Sequence, residues 1–173
     1  MPTPERTSLS AIVGAGRDLL ELGGPSRITM QAVADRVGVR APSLYKRVRD
    51  RDALVQLVVE ATVDDLGVRL AASDGSLVGL ARAYRAFAQD HPEGFRLMYA
   101  VSGSADALQR ASQPVLRAAR TAVGPDDALD AARLLTAWAT GFVNMELAGA
   151  FRLGGDVDQA FEYGLARLEG ALR

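Results

Sequence analysis

Apolar residues recur three and four positions apart along nearly the whole chain, and no segment alternates apolar with polar residues as a half-buried strand does. Side chains at this spacing lie on one face of an α-helix, where they can pack against a neighbouring helix. Because 49% of the 173 residues are apolar, the chain has enough apolar mass to bury a core. The sequence therefore predicts an all-α fold.

Glycine and proline mark the ends of the first predicted helices. Gly23-Gly24-Pro25 ends a first helix that begins near Leu9. Gly38 then separates two short helices, one over about 29–37 and one over about 41–48, because glycine adopts a positive φ without strain. The side chain of Thr29 is placed to cap the first of these two helices.

The later predicted helices are longer. They cover about 51–71 with Asp50 as its cap, then about 77–91, 105–122, 126–152 and 156–172. Pro92 closes the helix over about 77–91 and is followed by a short aromatic-rich segment. Ser102-Gly103-Ser104 then leads into the helix over about 105–122. We predict a small domain over residues 1–55 and a second helical domain over residues 56–173.

The composition excludes several classes of protein. His91 is the only histidine and cysteine is absent, so neither a metal site nor a histidine-dependent nucleophile can be assembled. No glycine-rich phosphate loop is present, and His91 beside Pro92 is placed for a structural role at a helix end. No apolar stretch reaches the roughly 18 residues of a membrane span. We predict a cytoplasmic protein that is not an enzyme and has no cofactor and no membrane partner.

Two short helices joined at Gly38 have the dimensions of a helix-turn-helix, whose second helix enters the major groove of DNA. In that second helix Leu44 and Val48 are four residues apart and can face a core, which leaves the other side chains outward. Residues 36–51 contain six basic side chains against Asp50 alone, although the net charge of the chain is −1. Such a patch is typical of a DNA-binding face, but a short charge cluster is also typical of a solvated surface.

The residues around this motif resemble the DNA-binding domain of the TetR family of transcription regulators. The resemblance covers residues 8–55 and is carried by Ile28-Thr29-Met30-Gln31-Ala32-Val33-Ala34, Val37-Gly38-Val39, Ser43-Leu44-Tyr45, Val48 and Asp50-Arg51-Asp52-Ala53-Leu54. Pro42 in the recognition helix is similar to one branch of the family. Arg47 and Arg51 stand where many relatives have His and Lys, which keeps or adds positive charge.

The resemblance implies which side chains contact DNA. They are Thr29, Gln31, Arg40, Ala41, Pro42, Ser43, Tyr45, Lys46, Arg47 and Arg51. Tyr45, Arg47 and Arg51 correspond to phosphate-contacting positions. Arg40 could pair with guanine, and the apolar atoms of Ala41 and Pro42 could meet a thymine methyl. Each residue also has a structural alternative: Tyr45 could pack on the surface, Arg40 could remain solvated, and Thr29 could serve only as a cap.

Aromatic and methionine side chains concentrate in parts of the second predicted domain. We predict that a small-molecule effector pocket is lined by Tyr84, Phe87, His91, Phe95, Met98, Tyr99, Trp138, Phe142 and Met145. The alternative for each residue is an ordinary place in the core. The segments around Tyr84, around His91-Pro92 and from Trp138 to Phe142 resemble a TetR subgroup named for its Trp, His and Gly residues.

The last two predicted helices carry long apolar stripes with interleaved small residues. The stripes are Leu129, Ala132, Leu135, Trp138, Phe142 and Met145, and then Val157, Phe161, Leu165, Leu168 and Leu172. The family resemblance implies that these helices form a homodimer, whereas the stripes alone could close the core of one subunit. Glu146 could lie in the dimer interface or in the pocket.

These observations lead to one functional hypothesis. The chain is expected to be a homodimeric repressor that binds double-stranded DNA at a palindromic operator and is released by a small-molecule effector. Two alternatives remain at this point. One is an activator, or a regulator without a ligand, on the same fold, and the other is a helical ligand-binding or interaction module that does not bind an operator.

Overall fold

The computed structural model describes residues 8–101 and 105–172, and in that part of the chain the regular structure is helical throughout. The helices are α1 (Leu9–Gly23), α2 (Met30–Val37), α3 (Ala41–Leu44), α4 (Arg51–Ala71), α5 (Leu77–Asp90), α6 (Pro92–Ala100), α7 (Ala105–Val123), α8 (Ala128–Leu147) and α9 (Val157–Ala171), with a 3₁₀ turn at Pro25–Arg27. The predicted all-α fold is confirmed. The predicted turn at 102–104 lies outside the described residues.

Side-chain caps begin several helices where the sequence predicts them. The Thr29 hydroxyl accepts a hydrogen bond from the Ala32 N–H at 3.1 Å at the start of α2. The Asp50 carboxylate accepts one from the Ala53 N–H at 2.8 Å at the start of α4. Both caps satisfy an amide that has no partner within its own helix, so both predictions are confirmed.

Two predicted helix bounds are wrong. The recognition helix α3 ends at Leu44 rather than near 48, because the Arg47 N–H turns back to the Leu44 carbonyl at 2.8 Å in a tighter turn. Helix α8 ends at Leu147 rather than near 152, since Gly149 takes a φ of 61°. Pro92 follows the end of α5, as predicted, and it also begins α6, because proline fits the first helical position.

Backbone contacts divide the described chain into two compact units. The first comprises the residues up to Val63 together with His91–Ala107, and the second comprises Asp64–Asp90 and the residues from Leu108. The division into domains 1–55 and 56–173 remains a prediction. None of the helices within residues 8–101 and 105–172 has the combined length and apolarity needed to cross a membrane.

In the first unit, α1 packs against both α2 and α6. Gly16 permits a close approach between α1 and α4, because a Cβ there would lie 2.8 Å from Cγ2 of Val58. The core side chains of this unit include Ile12, Leu20, Ile28, Val33, Leu44, Val48, Leu54, Phe95 and Leu97. The core includes buried side chains on both sides of the turn between α2 and α3, namely Val33 before it and Leu44 after it.

In the second unit, α5 packs against α8 and α9. Helices α8 and α9 also approach closely at Gly164, where a Cβ would lie 2.5 Å from Cζ2 of Trp138. The Trp138 and Phe161 rings stack with their centroids 5.1 Å apart. A small residue on one helix thus makes room for the largest side chain on the other.

Gly38→Ala tests the turn between α2 and α3. Gly38 has a φ of 75°, so we expect alanine there to lower the free energy of unfolding by about 1–2 kcal/mol. Gly14→Ala is the matched control, because Gly14 lies within α1 with open space around its Cα. It is expected to raise stability by up to about 1 kcal/mol. Urea unfolding of the two variants measures both effects, and equal shifts of one sign would contradict the role given to Gly38.

Candidate nucleic-acid interface and effector site

The turn between α2 and α3 is held by backbone hydrogen bonds. The Gly38 N–H donates to the Asp35 carbonyl at 3.2 Å, and the Val39 N–H donates to the Ala34 carbonyl at 2.9 Å. Together with the positive φ of Gly38, these bonds end α2 and redirect the chain into α3 within a few residues. The two helices of the motif are therefore fixed relative to each other by the backbone itself.

Two buried side chains hold the recognition segment to the unit. Leu44 is completely buried and Val48 is nearly so. Between and around them the predicted DNA-contacting side chains of residues 40–47 lie at the surface, with Ala41 and Ser43 partly buried and the others exposed. Tyr45 is 55% exposed, which is a large apolar ring left without a full packing partner. The surface of this short segment is thus formed by Arg40, Ala41, Pro42, Ser43, Tyr45, Lys46 and Arg47, and their contact with DNA remains a prediction.

The two predicted contact residues of α2 also have partners inside the protein. Thr29 is exposed while its hydroxyl caps α2. The Gln31 side-chain amide donates to Oδ1 of Asp35 at 2.7 Å, one turn further along the same exposed face. A cap and a contact to DNA are compatible for Thr29, because a hydroxyl can accept one bond and donate another.

Arg51 has a structural role that the sequence did not indicate. Its Nε donates to the Ile28 carbonyl and its Nη2 donates to the Pro25 carbonyl, both at 2.8 Å. These bonds join the start of α4 to the 3₁₀ turn before α2 and leave about half of the side chain exposed. The predicted phosphate contact of Arg51 remains a prediction.

The predicted effector residues are distributed over both units. His91, Phe95, Met98 and Tyr99 are in the first unit, and Tyr84, Phe87, Trp138, Phe142 and Met145 are in the second. Within the first unit, Phe95 is buried and meets the half-exposed Tyr99 edge to face at 5.5 Å. The membership of all nine residues in one pocket remains a prediction.

Helix α6, which carries Phe95, Met98 and Tyr99 of these residues, is capped from α1. The Glu21 carboxylate accepts hydrogen bonds from the Glu93 and Gly94 N–H groups at 3.1 and 2.8 Å. His91 precedes this helix, and its side chain does not cap it. A negative charge at a helix N-terminus is favourable because the free N–H groups there carry partial positive charge. Sequence reasoning missed Glu21, since only the packing of α1 against α6 brings it there.

In the second unit, Trp138 and Phe142 of α8 pack against α9, whereas Met145, which was also predicted to line the pocket, is 48% exposed. Trp138 and Phe142 lie 5.8 Å apart, and Phe142 meets Phe161 at 5.2 Å and Phe151 at 4.8 Å. Tyr84 is buried and its hydroxyl is 2.7 Å from the Thr140 hydroxyl. The result is an aromatic cluster between α8 and α9, with α5 beside it.

Arg85 of α5 enters this cluster and was not anticipated from the sequence. It is 8% exposed and makes two hydrogen bonds to Glu146 and one to Asp158. The hydrogen bonds to Glu146, and then to Asp158, raise the pKa of Arg85 above its ordinary value. The same pairing lowers the pKa of Glu146, although partial burial opposes the shift. The pair is therefore ionised near neutral pH.

Comparison with known proteins assigns the chain to a family. Residues 12–58 match the family described as bacterial regulatory proteins, tetR family, and residues 77–168 match the tetracyclin repressor-like C-terminal domain. Since the second match alone spans more than half of the chain, this protein belongs to the TetR family of transcriptional regulators. Its DNA-binding segment is the helix-turn-helix of α2 and α3.

The relatives share the fold over most of the chain. The tetracycline repressor protein class A from transposon 1721 of Escherichia coli is 28% identical over 159 residues, which cover 87% of this chain and 74% of that protein. A protein with unknown function from Rhodococcus sp. RHA1 superposes with a TM-score of 0.81 at 21% identity, covering 98% of each chain. A TetR variant of Acinetobacter baumannii AYE in complex with minocycline gives 0.70 at 22% identity, covering 95% of each.

Arg51→Gln tests the structural role of that side chain. Losing the bonds to two carbonyls is expected to lower the free energy of unfolding by about 1–3 kcal/mol. Lys46→Gln is the control, since Lys46 is an exposed cation of the same unit and its loss should change stability by less than about 0.5 kcal/mol. Chemical unfolding without DNA measures both values. Equal stability of the two variants would show that the bonds of Arg51 do not support the unit.

Proposed function

We propose that this protein is a homodimeric repressor that binds a palindromic operator in double-stranded DNA and is released by a small-molecule effector. The observation that carries the proposal is the set of outward side chains of residues 40–47, on a segment that the buried Leu44 and Val48 anchor directly after the turn at Gly38. A short, anchored helix with outward cations and hydroxyls has the shape and chemistry needed to enter a major groove.

Within that segment, different side chains take different parts of the recognition. Arg40 precedes α3 and is the residue proposed to pair with guanine O6 and N7, which would give sequence preference. Tyr45 and Arg47 follow α3 and are proposed to bind phosphates, which would fix the register on the duplex. The flanking Lys46 adds positive charge at the same face.

The exposed face of α8 supports pairing of two subunits through the last two helices. The sequence-predicted stripe on α8 is largely used inside the subunit, because Ala132 and Leu135 are buried. An outward stripe is formed by Leu134, Ala137, Gly141, Met145 and Ala148, of which only Met145 belongs to the stripe predicted from the sequence. Leu134 and Met145 are both 48% exposed, and the small residues between them allow another helix to approach. On α9, Ala160, Tyr163, Arg167 and Gly170 form an exposed face at the same helical spacing.

Two recognition helices related by a two-fold axis would meet successive major grooves roughly 34 Å apart. The effector is proposed to bind at the predicted pocket residues and to favour a state in which the two recognition helices have a different spacing. A ligand can shift this equilibrium only through different affinities for the two states, so the operator and the effector weaken each other's binding by the same factor. A relative of the same fold is described in complex with minocycline.

The proposal includes the finer features expected from the sequence. The C-terminal domain is proposed to belong to the subgroup named for its Trp, His and Gly residues, on the resemblance of the segments around Tyr84, around His91-Pro92 and from Trp138 to Phe142. The protein is proposed to act in the cytoplasm, where its operator lies, without catalysis and with no cofactor other than the effector. The chemical identity of that effector is open to screening once an operator is known.

The double variant Tyr45→Ala with Arg47→Ala tests operator binding. Binding of the purified protein to its own upstream intergenic DNA is measured across a salt series. We expect the variant to bind at least about 100-fold more weakly, with a slope of log K against log salt that is smaller by about 2, because a dimer loses two phosphate-neutralising arginines. Arg117→Gln, an exposed arginine of α7, is the control and should bind like the wild type.

The outcomes separate the competing functions. Loss of binding in the double variant with intact helical circular dichroism supports the regulator. The wild type, the double variant and Arg117→Gln could instead all bind intergenic and unrelated DNA equally weakly. That result would favour the helical ligand-binding or interaction module that does not bind an operator.

Leu134→Asp combined with Ala137→Glu tests the outward face of α8. Two charges on this face are expected to weaken dimerisation by at least about tenfold, because a charge buried without a partner is unfavourable. Val68→Asp is the control, since Val68 is 67% exposed on α4. Sedimentation equilibrium gives the dimer dissociation constants. A variant that pairs as tightly as the control would place the interface elsewhere.

A further inference from the structure

The connection between α8 and α9 is poorly suited to fix these two helices by its own backbone. It runs from Ala148 to Asp156, and Gly149, Gly154 and Gly155 in it have φ values of 61°, 81° and 88°. Glycine is the residue type with the greatest backbone freedom, so these three residues do little to fix the connection. Apart from the contact of Phe151 with Phe142, a contact from outside the connection is what can hold the end of α8 against the start of α9.

Arg85 makes that contact from α5. Its Nε and Nη2 donate to the two carboxylate oxygens of Glu146 at 2.8 and 2.6 Å, one residue before α8 ends. Its Nη2 also donates to Oδ1 of Asp158 at 2.6 Å, in the first turn of α9. One guanidinium therefore binds both sides of the connection at once.

The surroundings of Arg85 restrict its position further. The guanidinium carbon lies 4.8 Å from the centroid of the Phe161 ring and 6.0 Å from that of Phe142. Gln89 lies one turn further along α5. Its side-chain amide donates at 2.9 Å to Oε1 of Glu146, the oxygen that also accepts from Nη2 of Arg85. Planarity, a two-pronged bond and an aromatic face together allow only one orientation of the group.

The buried pair of Arg85 and Glu146 in this cluster is a poor way to gain stability, because removing the two charges from water costs much of what their attraction returns. An apolar side chain could fill the same space. What the cluster provides is geometry, since hydrogen bonds depend on direction and apolar contacts do not. The cluster is thus suited to setting the relative position of three helices.

We propose that Arg85 is the positioning residue that holds α8 and α9 in the arrangement required for two subunits to pair. This inference rests on the proposed homodimer through these helices. Arg85 itself lies inside the subunit and acts through Glu146 and Asp158. Removing it frees the connection and disturbs the outward faces of both helices.

The test compares Arg85→Gln with Arg82→Gln in the full chain. Arg82 is the matched control because it also joins α5 to α9, through Glu162, but in an exposed pair that contributes little. We expect Arg85→Gln to raise the dimer dissociation constant about tenfold or more, and Arg82→Gln to change it by less than about twofold. Unchanged dimerisation in Arg85→Gln would overturn the proposal.

Conservative variants separate positioning from charge and from simple unfolding. Arg85→Lys keeps the charge but loses the planar fork, so it should not restore pairing, and full pairing by this variant would overturn the geometric role. Asp158→Asn removes a charge whose side chain is 79% exposed, so the fold should survive even where Arg85→Gln does not. Asp158→Asn should raise the dimer dissociation constant by a smaller factor than Arg85→Gln. An unchanged constant in Asp158→Asn would count against the proposal.

Tryptic cleavage within the connection tests the positioning role of Arg85 separately from the proposed homodimer. Arg152 is exposed within the connection and offers a trypsin cleavage site. Arg85→Gln should be cut after Arg152 faster than Arg82→Gln, whether or not the subunits pair. If the wild-type protein is a monomer, the proposed homodimer is wrong. Equal cleavage rates of the two variants would then overturn the positioning role as well.

Discussion

The DNA-binding unit depends on the burial of Leu44 and Val48, because the helix α3 that ends at Leu44 is too short to be stable alone. Helix α3 has four residues, and isolated helices of that length do not form in water. The left-handed backbone at Gly38 begins the segment at a fixed angle, and the two buried side chains hold it from within. Because the inner side chains carry the stability, the outer positions are free to carry recognition, and this division explains how one motif can present different contact residues.

Several positions that the family resemblance assigns to DNA also support the protein itself. Thr29 caps α2, Gln31 bonds to Asp35, and Arg51 holds the backbone before α2. Each of these bonds fixes a side chain at the edge of the proposed interface before any DNA arrives. Preorganised side chains lose less entropy on binding, so the structural and recognition roles reinforce each other.

The second unit follows a different principle. Its aromatic core is not directional, and Trp138, Phe142 and Phe161 could pack in more than one way. Arg85 adds direction to this core by bonding to Glu146 and Asp158 at the ends of two helices. The sequence left Glu146 between the pocket and the dimer interface, and the structure gives it a third place, inside the subunit as the partner of Arg85.

The sequence by itself determined the helical fold, the caps at Thr29 and Asp50, the turn at Gly38 and the burial of Leu44 and Val48 beneath outward neighbours, because these depend on spacing and on the local chemistry of single residues. Tertiary structure alone decided which stripe of α8 is buried, that Glu21 caps α6, and that Arg51 and Arg85 bind groups 26 and 73 residues away. Periodicity shows that a helix has an apolar face, but α8 is apolar on more than one side. Which side faces inward depends on the helices packed against it, and no local pattern contains that information.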